Sequence, residues 1–149
     1  MAKVIFKNVL NQNAGFLEER GYEYKKEKIS PKFYRYSKTL NLGVHLSIDF
    51  QTSSWTTPPQ RGFYVNLSRE RLLNYSGRED EFIQFRFMLL YNIMNGVYQM
   101  WDFQKNKYNW EYLSTSKESL VKELGEIQPL LIKYGIPWLE DPKSNLEWL

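Results

Sequence analysis

Between residues 42 and 51 the chain alternates without a lapse: Leu42, Val44, Leu46, Ile48 and Phe50 are apolar, whereas Gly43, His45, Ser47, Asp49 and Gln51 are not. A period of two places all five apolar side chains on one face of a strand, and that face must be covered. The opposite face is left for water or a ligand. Residues 61–68 repeat the pattern, with Phe63, Val65 and Leu67 inward and Tyr64, Asn66 and Ser68 outward. A shorter strand at residues 32–36 makes an antiparallel meander of at least three strands. Residues 52–60 are too many for a tight hairpin, so they form a loop that displays Trp55.

Helices are expected on both sides of this meander. Residues 2–20 carry Phe6, Val9, Leu10, Ala14 and Leu17 close to a three-four spacing, and Gly21 follows as a left-handed cap. Later, Ser76-Gly77-Arg78-Glu79 has the capping-box form. Beyond it, Phe82, Phe85, Leu89, Ile93, Val97 and Met100 form one stripe, and Ile83, Phe87, Leu90, Met94, Tyr98 and Trp101 a neighbouring one. This predicts one helix of about 25 residues with a broad apolar arc, despite Gly96 within it. A short strand at 110–113 precedes a last helix that opens at Thr115-Ser116-Lys117-Glu118, buries Leu120, Leu124, Ile127, Leu131 and Tyr134, and ends at Gly135 and Pro137. Pro129 should kink or split it near Gln128.

The fold class is therefore α+β: an antiparallel β-meander of three to five strands covered by an N-terminal helix and two C-terminal helices. A chain of 149 residues forms one such domain, with helix and meander in 1–75 and mainly helices in 76–149. With 42% hydrophobic and 25% charged residues it is neither disordered nor collagenous. The longest apolar run, residues 87–91, is far below the ~18 residues of a membrane span. The short apolar run at the N-terminus is no signal sequence, which makes the cytoplasm the expected location.

The segments Leu17-Glu18-Glu19-Arg20-Gly21-Tyr22, Phe33-Tyr34-Arg35, Asp49-Phe50-Gln51 and Phe63-Tyr64-Val65-Asn66-Leu67 follow one another, with Trp110 and Tyr134-Gly135-Ile136-Pro137-Trp138-Leu139 after them. In these segments and in the order of its elements the chain resembles the bacterial "domain of unknown function 4304" family. The resemblance implies an α+β fold and no catalytic residues, in a small cytoplasmic protein of bacteria or their phages, some of them in immunity or defence settings.

The residues themselves announce no chemistry. With no cysteine, disulfides, thiolate metal sites and cysteine nucleophiles are excluded. His45 is the only histidine, and Asp49 on the same strand face lies about 13 Å away at ~3.3 Å per residue, out of hydrogen-bond reach. No phosphate loop, nucleophile elbow or His-Glu-x-x-His motif is present. No catalytic residue, metal or cofactor is expected, and an enzyme of uncharacterised chemistry ranks behind two binding roles.

The first is a non-catalytic protein-interaction module of the immunity or anti-defence type. It would use the polar sheet face and the aromatic loop: His45, Asp49, Gln51, Trp55, Arg61, Tyr64 and Asn66, with the rings as anchors. The second is single-stranded nucleic-acid binding. Residues 1–75 hold 12 Lys and Arg against 6 Asp and Glu, and within 20–38 the cations Lys25, Lys26, Lys32 and Arg35 are interleaved with Tyr34 and Tyr36. Cations could hold phosphates there while rings stack on bases. A protein partner is expected ahead of a nucleic acid, and a membrane is not expected.

Overall fold

The computed structural model describes residues 2–25, 33–40, 43–52, 63–71, 81–99, 101–104, 107–109, 112 and 116–141. Two short helices, α1 (Ala2–Gln12) and α2 (Gly15–Glu18), lead into five strands: β1 (Glu23–Lys25), β2 (Phe33–Leu40), β3 (Val44–Thr52), β4 (Phe63–Arg71) and β5 (Glu81–Arg86). The strands pair in sequence order as one antiparallel meander. Helix α3 (Phe87–Met94) follows β5, then a hairpin of β6 (Trp101–Asp102) and β7 (Lys107–Tyr108), and finally α4 (Lys117–Leu130) and α5 (Ile136–Glu140), joined by a widened π-type turn over Leu131–Gly135. Among the described residues no helix is long and apolar enough to cross a membrane.

The alternation dictates the core. Register sets Ile48 beside Tyr36 and Leu67, and Phe50 beside Tyr34 and Val65, so that the centre of one sheet face is apolar. Onto it fold Phe6, Val9 and Leu10 of α1, Phe87 and Leu90 of α3, Leu120, Leu124 and Ile127 of α4, and Ile136 and Leu139 of α5, all buried. Rings fill much of the space. Phe6 lies 5.0 Å from Tyr34 and 5.6 Å from Phe63, and Tyr112 stacks on Phe63 at 5.0 Å. Each fully buried Leu, Ile or Phe contributes roughly 1.5–3 kcal/mol, which makes this face the principal source of stability.

Two cations, Lys38 and Arg69, flank Leu46 on this face, and both reach to the C-terminal helix. Lys38 Nζ donates to the Arg20 carbonyl at 3.0 Å, lies 3.5 Å from Glu140 Oε1 and sits over the Tyr22 ring. Tyr22 donates its hydroxyl to Glu140 Oε2 at 3.0 Å, and Arg69 donates to the carbonyls of Leu139 and Asp141. The end of α5 is thereby tied to residues more than sixty positions earlier in the chain.

Several elements differ from the pattern reading. The first helix breaks at Asn13, whose amide turns back to the Val9 carbonyl at 2.7 Å, and α2 closes on Gly21 at φ +88°. The expected long helix is a strand followed by a helix: residues 81–86 pair with β4, and only 87–94 are helical before Gly96 at φ +80° ends the run. Ile83 and Phe85 share one face of a strand and also fall within the helical arc, and the open edge of β4 decides between the two readings. Of the strand expected at 110–113, Tyr112 makes a single bridge to Phe63, with two 2.8 Å hydrogen bonds.

The last helix starts one residue late, with Ser116 and Ser119 capping each other in place of Thr115 and Glu118. Pro129 neither splits nor ends it. The disturbance comes afterwards as the π turn, and Pro137 opens α5 where its missing N–H costs nothing. The capping box at 76–79 lies outside the described residues.

Gly135 is fixed by this packing. A Cβ there would sit 2.9 Å from the fully buried Phe87 ring and 2.9 Å from Leu131 Cδ2. Gly135→Ala should therefore cost about 1–3 kcal/mol in urea denaturation, although alanine is the better helix former by about 1 kcal/mol. A neutral or stabilising result would show that the helix is not seated on Phe87.

Burial, the largest cause in each case, raises the phenols of Tyr22, Tyr36 and Tyr112 above their ordinary value of 10.0. Glu140 adds its charge and hydrogen bond at Tyr22, whereas Glu18 and Tyr24 act on Tyr36, and Glu123, Glu126 and Tyr91 on Tyr112, through charge alone. In the unfolded chain these phenols ionise near 10 while the folded ones stay neutral, so their contribution is intact below pH 10 and is lost as pH rises beyond it. Alkaline titration should show phenolate absorbance from these residues only together with loss of the circular dichroism signal. Their ionisation with native dichroism intact would contradict the burial.

Candidate functional site

The sheet face opposite the core is polar, as the strand parity requires. Its central row runs Lys25, Arg35, Asp49, Asn66, Arg86 across all five strands, and the next row runs Glu23, Ser37, Ser47, Ser68, Gln84. In the central row Arg35 grips Asp49 with both arms: Nε donates to Oδ1 at 2.8 Å and Nη2 to Oδ2 at 3.0 Å. Such a fork is a strong, directional form of ion pair. Asn66 Nδ2 donates to Gln51 Oε1 at 3.5 Å, and the Arg86 guanidinium lies 4.8 Å above the centre of the Tyr64 ring.

Exposure on this face differs from the sequence expectation. Asp49 is 0% exposed, and Tyr64 and Asn66 are buried along with Ser47 and Ser68. Asp49 is gripped by Arg35, Asn66 donates to Gln51, and the Arg86 guanidinium lies over the Tyr64 ring. Asp49, Tyr64 and Asn66 are thus part of the folded body, not side chains held out to a partner. Gln51 and His45 are half-buried, the latter with its Nδ1 3.0 Å from Thr39 Oγ1. Trp55 and Arg61 lie outside the described residues.

The basic aromatic stretch is likewise drawn inward. Tyr34 and Tyr36 are buried on the core face, where neither ring can stack on a base, and Arg35 is committed to Asp49. Tyr36 spends its hydroxyl on Asn11 Oδ1 at 2.6 Å. Lys25 is exposed, and Lys26 and Lys32 lie outside the described residues. Among the described residues no group of three His, Asp or Glu side chains could hold a metal ion. A groove of about 360 Å³ between α2 and β1 is lined by Glu18, Gly21, Tyr22, Glu23 and Tyr24, with no nucleophile beside a base.

The most exposed apolar surface is elsewhere, at positions 94–108, of which Met94, Val97 and Tyr98 stand on the apolar arc of the long helix expected from the sequence. Among the described residues six large hydrophobic side chains are exposed, and five of them, Met94, Val97, Tyr98, Phe103 and Tyr108, fall between positions 94 and 108. Tyr98 is 73% and Phe103 79% exposed. The hairpin that carries Phe103 is preorganised. Trp101 and Tyr108 pack edge to face at 4.9 Å, Asp102 Oδ1 accepts from the Gln104 N–H at 3.0 Å, and Asn109 Nδ2 donates to the Gln99 carbonyl. Lys107 lies over the Tyr112 ring, which stacks on Phe63, so the hairpin is tied back to the sheet. Asn95-Gly96 was the sequence signal for this surface, because a turn there takes every later apolar residue off the helical stripe.

The Arg35–Asp49 pair can be tested through its asymmetry. Arg35 keeps 31% of its side chain in water, whereas Asp49 keeps none. Arg35→Ala strands a buried carboxylate and should cost about 3–5 kcal/mol, while Asp49→Asn should cost roughly 1–3 kcal/mol. Urea denaturation of both variants checks the order, and equal costs would mean that Asp49 reaches solvent. No family model matches the chain, and no curated protein or solved structure matches it, so this surface is read from its own residues alone.

Proposed function

We propose that this protein is a non-catalytic binding module that grips a protein partner through the aromatic segment at 94–108. The supporting observation is the concentration of exposed rings and aliphatic side chains on that one stretch. Its composition favours protein over nucleic acid. From 91 to 109 the only charged residues are Asp102, Lys105 and Lys107, set among Tyr, Trp, Phe, Met, Asn and Gln. Protein interface centres are poor in charge and rich in aromatics and methionine, whereas phosphate contacts require several cations. A rigid aromatic contact surface with adaptable amides around it is also the make-up of antibody paratopes. Occlusion of a partner, as in immunity or anti-defence proteins, fits a module of this kind.

The test is capture of partners from lysate of the source cell by tagged wild type and by the double variant Tyr98→Ser with Phe103→Ser, with and without nuclease. Wild type should retain one stoichiometric protein through nuclease treatment, and the double variant should lose at least about tenfold of it, since both rings are candidate anchors. The melting temperature should hardly move, because exposed substitutions usually change stability by about 0.5 kcal/mol or less. Nuclease-sensitive recovery of RNA or DNA, or full retention of the protein by the double variant, would overturn the proposal.

A further inference from the structure

We infer that Asn95 is a site of spontaneous chemical modification, the conversion of its amide to aspartate and isoaspartate, and that the closure of α3 sets its rate. The inference goes beyond the binding reading and does not depend on it.

The chemistry follows from Asn95-Gly96, the one Asn-Gly step in the 149-residue sequence. The Gly96 backbone nitrogen gives its proton to hydroxide and attacks Asn95 Cγ. The new Cγ–N bond closes a five-membered imide, the Cγ–Nδ2 bond breaks, and the amide nitrogen takes a proton from water to leave as ammonia. A second water opens the imide on either side. Cleavage at Cγ leaves aspartate, whereas cleavage at the main-chain carbonyl leaves isoaspartate, whose chain runs on through Cγ with one extra backbone atom. In sum water is consumed and ammonia released, with nothing oxidised or reduced. Glycine favours the attack because it has no side chain to crowd the nitrogen and its backbone turns freely. Both residues are exposed, which gives water access to the imide.

The fold places this step at a junction. Asn95 is the C-cap of α3, and Gly96 takes the left-handed φ of +80° that follows it. The Val97 N–H donates to the Asn92 carbonyl at 2.7 Å and the Gly96 N–H to the Ile93 carbonyl at 3.0 Å. These two bonds form a Schellman closure, which fixes the direction in which Val97 and Tyr98 leave the helix. Asn95 adds a third, from Nδ2 to the Tyr91 carbonyl at 2.8 Å.

The same bonds restrain the reacting atoms. Attack requires the Gly96 nitrogen to leave Ile93, Nδ2 to leave Tyr91, and the Asn95 ψ to turn away from its near-helical 13°. The last turn of a helix opens locally far more readily than the whole fold. Conversion therefore proceeds through fraying of α3, more slowly than in an unfolded chain but without global unfolding.

The product cannot rebuild the closure. A carboxylate at position 95 has no hydrogen to give the Tyr91 carbonyl, and its charge stands at the negative end of the helix dipole. In isoaspartate the extra backbone atom also displaces the Gly96 and Val97 N–H groups from their acceptors. Conversion thus loosens the joint between α3 and the exposed aromatic segment.

Incubation of the full chain at mildly alkaline pH, folded and in urea, followed by tryptic peptide mass spectrometry, measures conversion at each asparagine. In the folded protein Asn95 should convert ahead of every other asparagine, with isoaspartate identified by its resistance to an aspartate-specific protease. In urea Asn95 should convert at least about fivefold faster, the effect of releasing two hydrogen bonds. Amide exchange at Gly96 and Val97 should accelerate in the converted fraction. Asn95→Gln, which cannot close a five-membered ring, should abolish conversion at this position, and Asn95→Asp should lower the melting temperature by roughly 1–4 °C. The inference is overturned if another asparagine of the folded chain converts first, or if Asn95 converts as fast folded as in urea. Conversion of Asn95 only under conditions that unfold the whole chain, or with exchange at Gly96 and Val97 unchanged, overturns it equally.

Discussion

Leu46, Ile48 and Phe50 form an apolar strip along the middle of the sheet, bordered by Tyr34, Tyr36, Val65 and Leu67, and left bare it would be insoluble. The placement of the helices follows from that strip. Helices α1 and α2 come from before the meander and α3, α4 and α5 from after it, yet their buried side chains join one cluster on the same face. The aromatic share of the sequence, 17%, is largely accounted for there, since wide rings can bridge the gap between a twisted sheet and short helices.

The polar face serves a different end. A slip of one residue in the pairing of β3 would turn Asp49 into the apolar layer and expose Ile48 and Phe50. The fork between Arg35 and Asp49 accompanies only the register in which the two are directly opposed. A buried ion pair adds little net stability over a well-packed apolar pair, but it raises the cost of any mispairing that breaks it. The meander thus has one face that supplies cohesion and another that specifies alignment.

What could be read from the sequence, and what could not, divides along the same physical line. Alternation in β3 and β4 is long enough to admit only one reading, so the strands and the side of the sheet on which His45, Asp49, Tyr64 and Asn66 lie were available from residues alone. Parity tells which side a residue takes but not what lies over it, and this is why Asp49, Tyr64 and Asn66, expected in contact with a partner, are buried. Residues 81–86 are strand because β4 offers them an edge, a fact about distant residues that no local period contains. The β6–β7 hairpin, with two residues in each strand, is below the length at which alternation is visible.

The order in which the layers occur along the chain has a consequence for how the protein is made. At roughly 5–20 residues per second, the ribosome releases the meander seconds before α4 and α5. In that interval Ile48, Phe50, Phe63 and Leu67 can pair into a sheet whose ring-lined face is covered only by α1, α2 and α3. Full cover of that face then waits for α4 and α5 and for the contacts that Tyr22 and Lys38 make with Glu140.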